Sequence, residues 1–226
     1  MILNPRQKYL QIAFNRSMNE VLKMMRQLPA TDRILIEAGT PFIKQYGTIG
    51  LARLVHLWQS LNNGQGYIVA DLKCMDRGFT EVQAVKNAGA SAATCLGLAP
   101  VETLDAFIKT CADLEIDSMI DMLNVPFPFE VIQQLKKRPD IVVLHRGVDE
   151  SLNSTKAIPY HDITRLKGSY NIVISIAGGE TLRDAQRAFF NSADIAIVWK
   201  EFYENPDNVK ELAEKFLTSI KGYGRN

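Results

Sequence analysis

Short apolar runs rich in β-branched residues recur along the whole chain, at 9–14, 33–38, 67–71, 91–96, 118–122, 141–145, 171–177 and 194–198. Between them lie stretches whose apolar positions fall three and four apart, the spacing of one helix face. The clearest are 18–27 (Val21, Leu22, Met25), 49–61, 101–114 and 129–136. Helix start signals agree: Ser17 with Glu20 three residues later makes a capping box, and Thr181 with Asp184 repeats it late in the chain. A strand followed each time by a helix meets a parallel neighbour through a right-handed crossover. Eight such units predict a closed (β/α)8 TIM barrel occupying 1–226 as one domain. An open doubly wound sheet is the alternative, but the Gly-x-Gly-x-x-Gly turn after the first strand is missing. No low-complexity tract or long linker divides the chain. The longest stretch without periodicity, 146–160, directly follows the sixth strand and reads as a lid over a site or as a variable surface loop.

Composition narrows the setting. At 226 residues and 46% hydrophobic content the chain can bury one substantial core. A net charge of +1 gives no reason to expect nucleic acid or a membrane surface as partner. Cys74, Cys95 and Cys111 have neither CxxC spacing nor an even count, and read as free thiols of a reducing compartment. No apolar run approaches the roughly 20 residues of a membrane span. The first residues lack the apolar core of a signal peptide, so a cytoplasmic setting is expected.

Chemistry in such a barrel sits at the C-terminal ends of the strands. Those positions hold Asn15, Glu37, Asp71, Lys73, Asp76, Asp121, Asn124, His145, Arg146 and the pair Gly178-Gly179. Asp71 and Lys73 are two apart and so share one side of their strand. Taken singly, each is an ordinary turn former or solvated charge; their concentration on one face reads as a site. Glu37 and Asp71 converging would repel unless a cation stood between them, and a hard ion such as Mg²⁺ fits, held by one or two carboxylates with waters and substrate oxygens. Lys73, flanked by Asp71 and Asp76, is expected to stay protonated and to stabilise developing negative charge. His145 is the natural proton carrier near neutral pH. The Gly178-Gly179 turn ahead of a capped helix offers bare amides for a phosphate.

Two segments, Ile36-Glu37-Ala38-Gly39-Thr40-Pro41 and Ala70-Asp71-Leu72-Lys73-Cys74-Met75-Asp76, resemble the orotidine 5′-monophosphate decarboxylase superfamily. Within it they are most similar to the 3-hexulose-6-phosphate synthases, with the 3-keto-L-gulonate-6-phosphate decarboxylases as close relatives. Asp121 and Val148 lean towards the synthases. The resemblance implies a homodimer with active sites at the interface, Asp76 reaching into the partner's site and Glu37 and Asp71 as Mg²⁺ ligands. It further implies that Lys73 steadies an enediolate and His145 moves protons. Asn15 and Asp121 join the catalytic group, while Arg146, Gly178, Gly179 and Lys200 would hold the phosphate. The implied substrate is a sugar phosphate: ribulose 5-phosphate joined to formaldehyde, or a variant of it. A decarboxylase, or a barrel that binds a metabolite or partner without catalysis, are the competing readings.

Four positions depart from the family pattern. Asn15 stands where an Asp is usual, Glu180 follows the glycine pair where an apolar residue is usual, and Trp199-Lys200 replaces Gly-Arg after the eighth strand. Three of them fall at the phosphate end. The expected outcome is a remodelled anion cup, with Glu180 paired to Lys200 and Trp199 closing the space. The alternative is that Trp199 packs outward and a phosphate still binds.

Overall fold

The computed structural model describes residues 1–153, 155–179 and 181–221, with Lys221 by its backbone alone. Eight parallel strands, β1 (Tyr9–Phe14), β2 (Ile34–Ala38), β3 (Tyr67–Cys74), β4 (Ala92–Leu96), β5 (Asp117–Asp121), β6 (Ile141–His145), β7 (Val173–Ala177) and β8 (Ile195–Val198), close into a barrel in sequence order. β8 pairs back onto β1, with Leu10 opposite Ala196. The helices α1 (Met18–Met25), α2 (Thr40–Leu61), α3 (Gly78–Asn87), α4 (Val101–Asp113), α5 (Pro128–Gln134), α6 (His161–Ser169), α7 (Leu182–Phe190), α8 (Lys200–Glu204) and α9 (Val209–Lys221) follow the strands in turn. The barrel expected from the hydrophobic pattern is therefore the fold.

Two apolar clusters account for its cohesion. The larger lies between sheet and helices and includes Phe14, Phe42, Trp58, Phe107, Phe202 and Phe216, all fully buried. The smaller draws Tyr9, Leu35, Tyr67, Val69, Ala92, Met119, Ile141, Val143, Val173 and Ile195 from every strand and fills the barrel. Strand alternation makes the division, because residues two apart point to the same side. The N-terminal segment closes the bottom of the barrel: the Ile2 and Leu3 amides donate to Asp117 at 2.5 and 2.9 Å, and the Tyr67 hydroxyl adds a third bond at 2.8 Å. The polar interior positions therefore open only at the C-terminal ends of the strands.

Several boundaries differ from the sequence reading, each for a local reason. β3 runs on to Cys74 through an irregularity after Ala70, where Lys73 adopts φ 47°. The helix expected at 49–61 begins at Thr40, with Pro41 in its first turn and a break at Gly47 (φ 58°) that masks its periodicity. The stretch 146–160 is not a bare loop, since Asp149–Leu152 forms a 3-10 turn whose Glu150 accepts from the Gly147 amide at 2.8 Å. Both capping boxes form as read.

Candidate active site

Interior positions at the tops of the strands converge on a cavity of about 460 Å³. One half of its wall is polar: Gln11 from β1 and Asn15 just after it, Glu37 from β2, Thr40 opening α2, Asp71 and Lys73 from β3, Thr94 from β4, Asp121 from β5 and His145 from β6. The other half is apolar, with Ala13, Leu123, Val148, Ala177, Ile197 and Trp199.

Lys73 ties the polar half together. Its Nζ lies 3.1 and 3.0 Å from the two oxygens of Asp71 and 3.0 Å from Asp121 Oδ2. The sequence placed Lys73 between Asp71 and Asp76; its second partner is Asp121 instead. The bulge explains this, since the left-handed backbone at Lys73 turns its side chain inward over the barrel while Asp76 continues outward. Burial alone would lower the Lys73 pKa, but Asp121, Asp71 and Glu37 outweigh it and hold the ammonium well above its ordinary value.

Asp121 is the second hinge of the network. His145 Nδ1 sits 2.9 Å from its Oδ2, and the Leu123 amide donates to Oδ1 at 3.0 Å. Burial pushes this carboxyl up, yet His145 and Lys73 more than compensate and keep it at about 2. An ionised Asp121 fixes the proton of His145 on Nδ1 and leaves Nε2 as the nitrogen that exchanges protons with a ligand. Asp71 is held as firmly. Thr40 Oγ1 and Thr94 Oγ1 donate to its two carboxylate oxygens at 2.8 Å, and Thr94 Oγ1 also accepts the Lys73 amide at 3.0 Å.

Glu37 is nearly fully buried. Desolvation first, and the charge of Asp71 second, push its carboxyl up to about 7. Gln11 Nε2 donates to Glu37 Oε2, while Gln11 Oε1 is buried with no partner among the described residues. Two neighbouring carboxylates and an unpartnered amide oxygen form a hard-donor set that fits Mg²⁺, which keeps waters and needs only one or two carboxylates. Among the described residues no group of three His, Cys, Asp or Glu side chains is arranged to hold a metal.

The remaining expected residues divide. Asn15 reaches the cavity, its Oδ1 only 2.0 Å from where a Cβ on Gly39 would stand. Arg146 also lines it, with Nη2 donating to the Gly178 carbonyl at 2.7 Å and Nε buried without a partner among the described residues. Gly178 lines it with φ 99°, but among the described residues Gly179 and Lys200 do not. Asp76 lies outside, exposed, its carboxylate accepting the Arg77 amide at 2.7 Å. Asn124 (φ 58°) borders a neighbouring cleft beneath the 146–160 segment. Glu180, expected to pair with Lys200, lies outside the described residues. Trp199 borders the cavity and also packs against the outer apolar cluster, its ring 6.3 Å from that of Tyr203. Gln11, Thr40 and Thr94 were not singled out in the sequence. Gln11 carried a signal, as a polar residue inside the apolar run of β1; hydroxyls in apolar strands are too common to stand out. All three cysteines are free and buried.

The profile of the Orotidine 5'-phosphate decarboxylase / HUMPS family matches residues 8–215. The bifunctional enzyme Fae/Hps of Methanocella arvoryzae is 35% identical over 218 residues, covering 94% of this chain and 53% of its own length. That of Methanothrix thermoacetophila is 37% identical over 219 residues, with the same coverage. The chain thus spans about half the length of these relatives. Among solved structures, 3-hexulose-6-phosphate synthase from Salmonella typhimurium superimposes with a TM-score of 0.83 at 24% identity, over 95% of this chain and 99% of that one. KGPDC from Streptococcus mutans in complex with D-R5P gives 0.79 at 22% identity, over 96% and 98%. At these identities the two superpositions bear on the fold.

Proposed function

The chain belongs to the orotidine 5′-phosphate decarboxylase / HUMPS family, and from that membership we propose that its cavity performs the carbon–carbon chemistry of a 3-hexulose-6-phosphate synthase. The substrate is a 2-ketose of the ribulose 5-phosphate kind, joined reversibly to formaldehyde. The observation that carries this reading is Lys73 Nζ bridging Asp71 and Asp121 while Asp121 orients His145.

The steps follow from those positions. His145 Nε2 takes a proton from C1, the carbon beside the ketone, leaving an enediolate. The Lys73 ammonium stands where negative charge develops on the ketose oxygens and lowers the barrier without itself giving up a proton. C1 of the enediolate then attacks the formaldehyde carbon, and the resulting alkoxide takes a proton, producing a 3-ketose one carbon longer. Asp121 keeps the imidazole aligned throughout, and Thr40 and Thr94 hold Asp71 in register with Lys73. Glu37 and Asp71 would hold Mg²⁺, whose contribution is Lewis-acid polarisation of the ketose oxygens.

Asp76 belongs to a second subunit's site in this reading. It is exposed, as are the large apolar side chains Met75 and Phe79 in the same β3–α3 region and Leu98 after β4. Exposed apolar side chains at the strand ends suit a second copy of the chain. The direct test is formaldehyde-dependent consumption of D-ribulose 5-phosphate and of D-ribulose, with Mg²⁺ present. Turnover by the wild type and none by Lys73→Met supports the proposal; equal rates in the two proteins refute it.

A further inference from the structure

β4 carries neither a charged side chain nor an imidazole, yet it faces the most distorted stretch of the site. β2 accompanies β3 as far as Ala70, opposite Ala38. Beyond that point β4 is the neighbour that runs beside β3, and the two fall out of step. β3 takes four residues to pass from Ala70 to Cys74, while β4 takes two from Ala93 to Cys95. Asp71, Leu72 and Lys73 therefore stand opposite one residue, Thr94. A bulge of this kind leaves its extra residues without ladder partners, and their buried N–H and C=O groups need others.

Side chains supply those partners. Thr40 Oγ1 donates to the Asp71 carbonyl at 2.8 Å, Thr94 Oγ1 accepts the Lys73 amide at 3.0 Å, and Cys95 Sγ donates to the Cys74 carbonyl at 3.1 Å. Thr94 has a second bond, because its hydroxyl proton goes to Asp71 Oδ1 at 2.8 Å. Asp71 in turn accepts from the Lys73 ammonium. The bonds close a ring that runs from the Lys73 amide to the Thr94 hydroxyl, on to the Asp71 carboxylate, and back to Lys73 Nζ. Each bond polarises the next. Backbone and ammonium of one lysine are thus tied to one carboxylate, the ammonium directly and the backbone through Thr94. Among the described residues, Thr94 is the one side chain bonded to both the Lys73 amide and the Asp71 carboxylate. It is buried, so bulk water does not compete for either bond.

We propose that Thr94 is a positioning residue of the reaction: its hydroxyl fixes the left-handed backbone of Lys73 (φ 47°) and so sets where the ammonium stands over the substrate. The register of the catalytic charge then comes from β4, a strand with no charge of its own. The inference rests on the enediolate reading for what the ammonium does, and goes beyond it in the part given to Thr94.

The test compares Thr94→Val, which keeps the branched shape and loses the hydroxyl, with Thr94→Ser, which keeps the hydroxyl. Two readouts are taken on the whole chain. One is C1 proton exchange of D-ribulose 5-phosphate in D₂O with Mg²⁺, per folded molecule; the other is hydrogen exchange of the Lys73 amide. In Thr94→Val, kcat for C1 exchange should fall by about 10–10²-fold with KM within about threefold, because a misplaced charge costs rate more than binding. Thr94→Ser should return kcat to within about threefold of wild type. The Lys73 amide should be protected in wild type, lose about tenfold or more of that protection in Thr94→Val, and regain it in Thr94→Ser. A merely structural role lowers stability and leaves kcat per folded molecule unchanged; that result overturns the proposal. So does an equal loss of kcat in both variants, or an unprotected Lys73 amide in wild type. Should Thr94→Val fail to fold, Thr94→Cys, with a thiol that is only a weak donor and acceptor, takes its place under the same criteria. If wild type binds D-ribulose 5-phosphate without exchanging a C1 proton, the enediolate reading fails, and the amide measurement alone decides whether Thr94 holds Lys73.

Discussion

Lys73 reaches its two carboxylates through a backbone conformation that a lysine seldom adopts, φ 47° within a bulged strand. Holding a long side chain there costs about 1–2 kcal/mol, which the paired charges around it offset. In the proposed reaction Lys73→Met removes the charge that would face the developing enediolate, and kcat should fall by about 10²–10³-fold with substrate affinity less affected. Steady-state kinetics separates the two effects. Asp121 gives a second residue-level prediction. Its carboxyl is lowered from 3.8 to about 2, so its contribution to stability is present above pH ~4 and is lost as pH falls from there towards 2. The stability of wild type relative to Asp121→Asn should therefore shrink by about 2 kcal/mol over that window, as read by denaturant unfolding at a series of pH values. The Lys73–Asp121 link was not legible in the sequence because residues 48 positions apart are related only by closure of the barrel. Alternate strands send side chains inward at the same level, and that rule brings β3 and β5 together.

At the scale of elements, α8 positions the end of β1. The Tyr203 hydroxyl accepts the Asn15 and Arg16 amides at 2.9 and 3.2 Å, and the Arg16 guanidinium lies 4.5 Å over its ring. Tyr203→Phe leaves both amides without that acceptor and should cost about 1–3 kcal/mol of stability, measured by thermal or denaturant unfolding. Amide exchange at Asn15 and Arg16 should speed up in the same variant. The helix starts at Ser17 and Thr181 were legible because a capping box is a local device written into four residues. The start of α2 was not, since it opens on Gly39 with no side-chain cap and breaks at Gly47. The same locality explains Trp199. Its position after β8 could be read, but its direction is set by α8 and Tyr203, which periodicity does not reach.

For the whole molecule, the alternation of eight apolar runs with amphipathic stretches was enough to predict the closed barrel, because parallel strands and short crossovers leave few other ways to bury both sheet faces. The site followed only in part: the charged half was readable as strand ends, whereas the apolar half is made of residues that look like core. If Asp76 serves a partner's cavity, mixing the inactive Lys73→Met and Asp76→Ala proteins should restore activity, since a mixed dimer contains one intact site; no recovery after subunit exchange would show that the sites are not shared. The central claim concerns proton removal beside a ketone by His145 under the charge of Lys73. Proton NMR of D-ribulose 5-phosphate in D₂O with the enzyme and Mg²⁺, without formaldehyde, tests it most directly. Loss of one C1 proton signal with wild type, and its retention with Lys73→Met, is the predicted result. Retention of both C1 protons with wild type, under conditions where D-ribulose 5-phosphate is bound, would contradict it.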